Sequence, residues 1–179
     1  MKTIRPIEVS GMGLCFTARV QPLLELPDLP QNGSLLGFLR GQASPPSGPG
    51  RAYALGDWEL HTHPDLMDRL CELAPSWPLT AAYGVPLLAS EGVAAVVALG
   101  TGWLAVRIDR LPASVMTLES PPAWTFAGGD WYIVDPWQGQ LSAADGTRVL
   151  RGLVSGALSY AASLVGRQAQ QRSRSRRRR

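Results

Sequence analysis

The two histidines of the chain, His61 and His63, lie two residues apart and are its first candidates for chemistry. In an extended segment the side chains of residues i and i+2 point to the same side, as two ligands of one metal ion must. Carboxylates that could complete a zinc or other divalent-ion site are near in sequence: Asp57, Glu59, Asp65 and Asp68. The alternative is a polar strand end before a helix, with His63 near the helix N-cap. The lack of a third histidine favours this alternative.

The segment DWYIVDPWQG, residues 130–139, is a second candidate. It resembles the W-x-x-V-D-P segment of transglutaminase-like cysteine enzymes, in which the aspartate orients the catalytic histidine. The resemblance implies that Asp135 orients His61 or His63. In that family the histidine lies one short strand before the aspartate, whereas His63 precedes Asp135 by 72 residues. The alternative interpretation is a strand that ends in a proline turn.

Neither cysteine lies where that family places its nucleophile, at a helix N-terminus. Cys71 falls inside a predicted helix and Cys15 in a strand pattern. Both are interpreted as small buried side chains, and a disulfide between them is the alternative. The sequence also lacks the GxSxG, HExxH and phosphate-loop motifs. We therefore expect a binding protein without a cofactor. A small hydrolase or metal-dependent enzyme that uses His61, His63 and an acid such as Asp135 is the alternative.

Six tryptophans accompany only three phenylalanines and four tyrosines. Tryptophan buries most of its ring and keeps a polar edge near water, so it is common in grooves and interfaces. We expect Trp124, Trp131 and Trp137 to form a surface for a protein partner or for a second copy of the chain. The alternative is a core that uses tryptophan where phenylalanine is scarce.

The C-terminal segment RQAQQRSRSRRRR begins at Arg167 and is strongly basic. Its arginines repel one another and predict a disordered tail over residues 167–179. They can neutralise phosphates, which predicts sequence-independent, salt-dependent binding to RNA or DNA. The nucleic-acid-binding candidates are Arg167, Arg172, Arg174, Arg176, Arg177, Arg178 and Arg179. An anionic membrane surface is the alternative ligand, and a localisation signal or a solvated end without a role stays open.

The basic charge of the chain is confined to this tail. Residues 1–171 hold 11 basic and 14 acidic side chains, and residues 172–179 add six arginines. The net charge of +3 therefore describes neither part. Four arginines could extend the basic surface if they lie near the start of the tail: Arg107, Arg110, Arg148 and Arg151.

The order of the predicted strands and helices indicates an α+β fold, in which a mostly antiparallel sheet packs on two helices. Alternating apolar residues predict a strand near 14–20, and the run 93–99, apolar on both faces, predicts a central strand. Further strands are predicted near 51–60, 85–89, 103–108 and 131–134, with a weaker one at 115–118. Pro64 predicts a helix start, and a broad apolar face predicts a second helix over 147–166, capped by Asp145 or Thr147.

Three segments follow from this pattern: 1–50, a strand and a Pro/Gly-rich loop; 51–166, the α+β core; and 167–179, the basic tail. The N-terminus has no apolar run of the secretory kind, and the uncharged run 152–166 is short for a membrane span. We expect a cytoplasmic, non-enzymatic adaptor. Its tail binds nucleic acid without sequence preference and its tryptophan-rich body binds a protein or itself. A membrane-peripheral adaptor is a further alternative.

Overall fold

The computed structural model describes residues 24–46 and 54–177, with side chains up to Arg167. The strand predicted near 14–20 and Cys15 lie outside the described residues, as do Arg178 and Arg179. The side chains of Arg172, Arg174, Arg176 and Arg177 lie outside them as well.

The chain forms a six-stranded sheet in the order β1-β4-β5-β6-β7-β8. Its strands are β1 Leu24–Glu25, β4 Thr80–Ala82, β5 Val85–Ser90, β6 Val93–Leu99, β7 Trp103–Arg107 and β8 Trp131–Val134. β1 runs parallel to β4, and every other neighbouring pair is antiparallel. The predicted α+β class and the mostly antiparallel sheet are confirmed.

Two predicted strands take another form. The described part of the run 51–60, from Ala54 onward, is a hairpin rather than one bulged strand: β2 Ala54–Leu55 pairs with β3 Trp58–Glu59 in a separate two-stranded sheet. Gly56 has φ +68° in the turn between them, a conformation that glycine adopts without strain. The run 115–118 contributes a single bridge, Thr117 to Val134, instead of a strand.

Short turns give the central strands their antiparallel order. Tyr83 and Gly84 join β4 to β5, and Glu91 and Gly92 join β5 to β6, all four with positive φ. Two-residue turns with both central residues at positive φ match the twist of a hairpin. The predicted three-residue loop 100–102 joins β6 to β7.

Helices cover both faces of the sheet. α2 Pro64–Leu73 and α3 Ala143–Arg177 lie on one face and share a buried cluster with β6 and β7. α1 Gly33–Gln42 lies on the other face, which it reaches after a 3-10 turn at Pro30–Asn32. The sequence assigned this stretch to a Pro/Gly-rich loop, because Gly33, Gly37 and Gly41 dilute its apolar pattern. Three buried leucines dock α1 on the sheet: Leu35, Leu36 and Leu39.

α3 starts earlier and ends later than the sequence predicted. Ser142 is the cap: its hydroxyl accepts from the Asp145 N–H at 3.2 Å and donates to the Asp145 carboxylate at 2.6 Å. The backbone then stays helical to Arg177, whereas disorder was predicted from 167. Glutamine, alanine and arginine favour helix, and cations are stabilised near a helix C-terminus. Extending a helix that is already packed needs no new nucleus.

The cap makes the charge of Asp145 sensitive to Ser142. The Ser142 hydroxyl, and then the Arg148 guanidinium, hold the pKa of the Asp145 carboxyl below its usual range. A carboxyl with a lowered folded pKa stabilises the fold above its unfolded pKa, and this is lost as pH falls through the folded value. Ser142→Ala is expected to raise the pKa of Asp145 and to lower the urea midpoint more at neutral pH than in acid. A carboxyl NMR titration measures the pKa, and an unchanged value, as in exposed Ser114→Ala, would contradict the role of the cap.

Candidate functional site

The histidines lie at the end of the sheet where β6 finishes. The His61 N–H donates to the Gly84 carbonyl at 3.1 Å, and its carbonyl accepts from the Gly100 N–H at 3.1 Å. His63 caps α2, because its Nδ1 accepts from the Asp65 N–H at 3.3 Å. The interpretation of His63 as a helix cap is confirmed, and this bond occupies the ring nitrogen nearest the chain.

The structure gives these histidines no set of metal ligands. Within residues 24–46 and 54–167, no group of three His, Cys, Asp or Glu side chains lies close enough to hold an ion. His61 Nε2 is buried and has no hydrogen-bond partner among the described residues. The two backbone hydrogen bonds to Gly84 and Gly100 fix the position of His61.

Asp135 organises the turn that follows β8. Its Oδ1 accepts from the Trp137 N–H and its Oδ2 from the Gly139 N–H, both at 2.9 Å. Both carboxylate oxygens are thus used within the turn, and neither His61 nor His63 is among their partners. The contacts of Asp135 support the alternative interpretation of residues 130–139, a strand that ends in a proline turn. Cys71 lies inside α2, away from the helix N-terminus that a thiolate nucleophile favours.

The sequence analysis did not identify Arg69, which links this turn to α2 and α3 by hydrogen bonds. Its side chain is 5% exposed, and its guanidinium donates to the Pro136 carbonyl at 3.0 Å and to the Thr147 hydroxyl at 2.9 Å. It also pairs with Glu72 at 2.6 Å and lies 5.4 Å from the centre of the Trp137 ring. The available signal was its place three residues after Leu66, on the apolar stripe of α2.

The three tryptophans predicted to bind a partner do not share one surface. Trp131 is 6% exposed and half-buried Trp124 contacts Trp103, with ring centroids 5.6 Å apart. Both also contact Phe126, within the cluster that joins α1 to the sheet. These two rings belong mainly to the core, whereas Trp137 is 48% exposed beside α2.

α3 connects the core to the basic segment without a break. One side of the helix is buried against β5, β6 and β7 through Leu150, Leu153, Val154, Ala157, Leu158 and Ala161. From Ala161 to Arg177 the helix extends about 24 Å. Arg167 lies over the ring of Tyr160, 5.7 Å from its centre. The basic segment is therefore placed at the end of a helix that the core holds.

The same helix also meets the requirements for a membrane span. Over Ala143–Arg167 it has 25 residues and a mean hydropathy of 1.3 in its most apolar window. The helix is longer than the uncharged run 152–166, because it begins at Ala143 and its length includes a few charged residues. A third of that window is buried inside the protein, and the core helix of a soluble protein meets the same requirements.

Three of the four body arginines that were predicted to extend the basic surface have partners within the body. Arg107 donates to Asp130 at 2.7 Å and to the Gln31 carbonyl. Arg148 pairs with Asp145 at 2.9 Å, and Arg151 donates to the Glu72 carbonyl. Pairing with a carboxylate cancels the charge that a phosphate would need. Arg107, Arg148 and Arg151 are therefore already partnered and do not extend a free basic surface over the body.

A groove of about 380 Å³ runs beside α3, opposite the loop that follows α2. One wall consists of Pro75, Ser76 and Trp77; α3 supplies the other through Val154, Leu158 and Ser159. The Trp77 indole N–H donates to the Ala89 carbonyl at 2.8 Å, which fixes a ring that remains 39% exposed. The groove therefore offers a rigid aromatic wall to an apolar chain.

Two features of the fold therefore stand apart from the core: the backbone of α3, which stays helical to Arg177, and the groove beside Trp77. His63 is explained by its helix cap and Asp135 by its turn. No family model, no curated protein and no solved structure matches the chain.

Proposed function

We propose that the chain is a non-enzymatic binding module that holds nucleic acid through the basic end of α3. The observation that carries the proposal is the continuity of α3 from its buried half to Arg177. A helix anchored by a core presents its cations at less conformational cost than a free tail, since the backbone is already ordered. The body takes the role of a scaffold that positions this helix in the cytoplasm.

Charge distribution supports the same proposal. Six arginines lie within residues 172–179, whereas residues 1–171 carry three more acidic than basic side chains. An acidic body repels phosphates, so encounter is directed to the C-terminal end of the chain. Neutralising about six phosphates releases the condensed counterions, which makes the affinity strongly dependent on salt but independent of sequence.

The test compares the full chain with a full-length variant in which all six of these arginines are glutamine. Glutamine retains good helix propensity and removes the charge. The wild type is expected to bind duplex DNA with a slope of log K against log salt of about −5, and the variant at least about a hundredfold more weakly at low salt. Fluorescence anisotropy with labelled duplex and single-stranded oligonucleotides measures both quantities.

The matched control is Arg110→Gln, which removes an exposed arginine of the body. It is expected to leave both the affinity and the slope close to those of the wild type. Equal binding by the wild type and the six-arginine variant would overturn the proposal, as would the absence of binding to either nucleic acid at low salt.

A membrane-peripheral adaptor is the second candidate function, favoured by the apolar length of Ala143–Arg167. An arginine cluster next to an apolar helix attracts anionic lipid headgroups. The same two proteins are therefore mixed with anionic and with neutral vesicles. Flotation with anionic vesicles, together with no binding to oligonucleotides, would favour this candidate over nucleic acid.

A protein partner, or a second copy of the chain, is the other part of the proposal. Trp137 and Leu141 are both about half-exposed and lie in the turn before α3. Aromatic side chains of this kind are enriched where proteins associate. This small patch takes the place of the larger surface expected from Trp124, Trp131 and Trp137 together.

A further inference from the structure

The groove beside Trp77 lies next to the point where the N-terminal segment joins the sheet. The Leu24 N–H donates to the Leu79 carbonyl at 3.4 Å, and β1 pairs with β4 in parallel from Leu24 and Thr80 onward. Because the two strands run in the same direction, Leu24 lies at the end of the sheet where the segment that contains Trp77 enters β4. The described part of the N-terminal segment therefore begins close to the groove.

We infer that the groove is the docking site of residues 14–20 of the same chain. This segment carries apolar side chains at alternate positions, Leu14, Phe16, Ala18 and Val20, which an extended chain places on one side. An apolar stripe of this kind complements a groove whose walls are the Trp77 ring and the apolar side chains of α3. Docking would shield the exposed part of Trp77 from water.

The length of the groove agrees with the extended length of residues 14–20. The α3 wall of the groove runs from Arg151 to Ala162, about 16 Å of helix. Seven extended residues reach at most about 25 Å, and the residues between Val20 and Leu24 span up to about 14 Å more. The segment can therefore leave β1 and follow the groove along α3.

Crosslinking in the full chain tests the inference. Cys71→Ser leaves Cys15 as the single native thiol, and Ser159→Cys adds a second thiol at the groove. A short bifunctional thiol reagent is used, because Cys15 alternates with the apolar positions and a direct disulfide needs Cα atoms within about 7 Å. We expect an intramolecular product, identified by peptide mass mapping, at least about fivefold faster than in the control.

The matched control is Cys71→Ser with Ser120→Cys, an exposed serine in the loop between Leu118 and Trp124, which pack on the α1 side of the sheet. Equal rates in the two proteins would overturn the inference. A product that joins two molecules, and whose rate rises with protein concentration, would also overturn it and would assign the groove to a second copy.

A second variant keeps the test independent of thiol reactivity. Ser159→Trp fills the groove, whereas Ser120→Trp adds the same ring on the other face. Amide hydrogen exchange of residues 14–20 is expected to be about tenfold faster in the first variant, since docking protects those amides. The same exchange rate in both variants and in the wild type would contradict docking.

Discussion

Arg69→Ala is expected to lower the free energy of unfolding by about 3 kcal/mol. The side chain is almost fully buried and links three parts of the chain: α2, the turn after β8 at Pro136, and Thr147 near the start of α3. Its removal leaves the Pro136 carbonyl and the Thr147 hydroxyl without this donor, and it opens a cavity beside the Trp137 ring. Glu72 contributes less, because half of its side chain is exposed.

Urea unfolding followed by tryptophan fluorescence measures the effect as a shift of the midpoint at constant slope. Arg148→Ala is the matched control, since it removes an exposed arginine that also pairs with a carboxylate three residues away. It is expected to move the midpoint by a small fraction of the Arg69 effect. Equal shifts for the two variants would show that the buried network is not what stabilises the turn.

The central strands and the start of α2 could be predicted because their signals are local. β6 is apolar on both faces, as a strand between two neighbours and two covered faces must be. Pro64 fixes the first turn of α2, and a polar residue before it caps the helix. These features depend on a few adjacent residues, so the sequence alone was sufficient.

α1 and Arg69 could not be predicted, because contacts distant in sequence decide both. Three glycines weaken the helical pattern of α1, yet its leucines meet the sheet and buried Asn32 ties the turn before it to the Gly92 carbonyl. In the sequence, Arg69 cannot be told from an exposed charged residue of a helix, because its partners Pro136 and Thr147 are distant along the chain. Tertiary packing overrides weak local preference in both cases.

The hypotheses about functional residues also divide into those that depend on adjacent residues and those that depend on distant contacts. The sequence supplied the helix-cap interpretation of His63, which needs only the next two residues. The role implied for Asp135 required a histidine brought from another strand, and the carboxylate is instead used by the N–H groups of Trp137 and Gly139. The charge of the tail was readable from composition, whereas its helical backbone depends on the packed half of α3.

Gly84→Ala is expected to destabilise the fold by on the order of 3 kcal/mol or more. Gly84 has φ +78°, and a Cβ built on it would lie 1.8 Å from the carbonyl oxygen of Glu59. That atom belongs to the backbone of β3, so a rotamer change cannot relieve the overlap. The β2–β3 hairpin must move away from the turn, and the contact between Trp58 and Tyr83, with ring centroids 5.3 Å apart, is then lost.

Gly152→Ala is the matched control and is expected to act in the opposite direction. Gly152 is exposed inside α3, and no atom lies within 4 Å of the position its Cβ would take. Alanine there is expected to stabilise the protein by about 0.5 to 1 kcal/mol, because glycine loses more backbone freedom in a helix. Urea midpoints of the two variants should therefore fall on opposite sides of the wild type. A Gly84→Ala midpoint equal to or above that of the wild type would mean that the close approach of Gly84 to Glu59 does not determine the position of the hairpin.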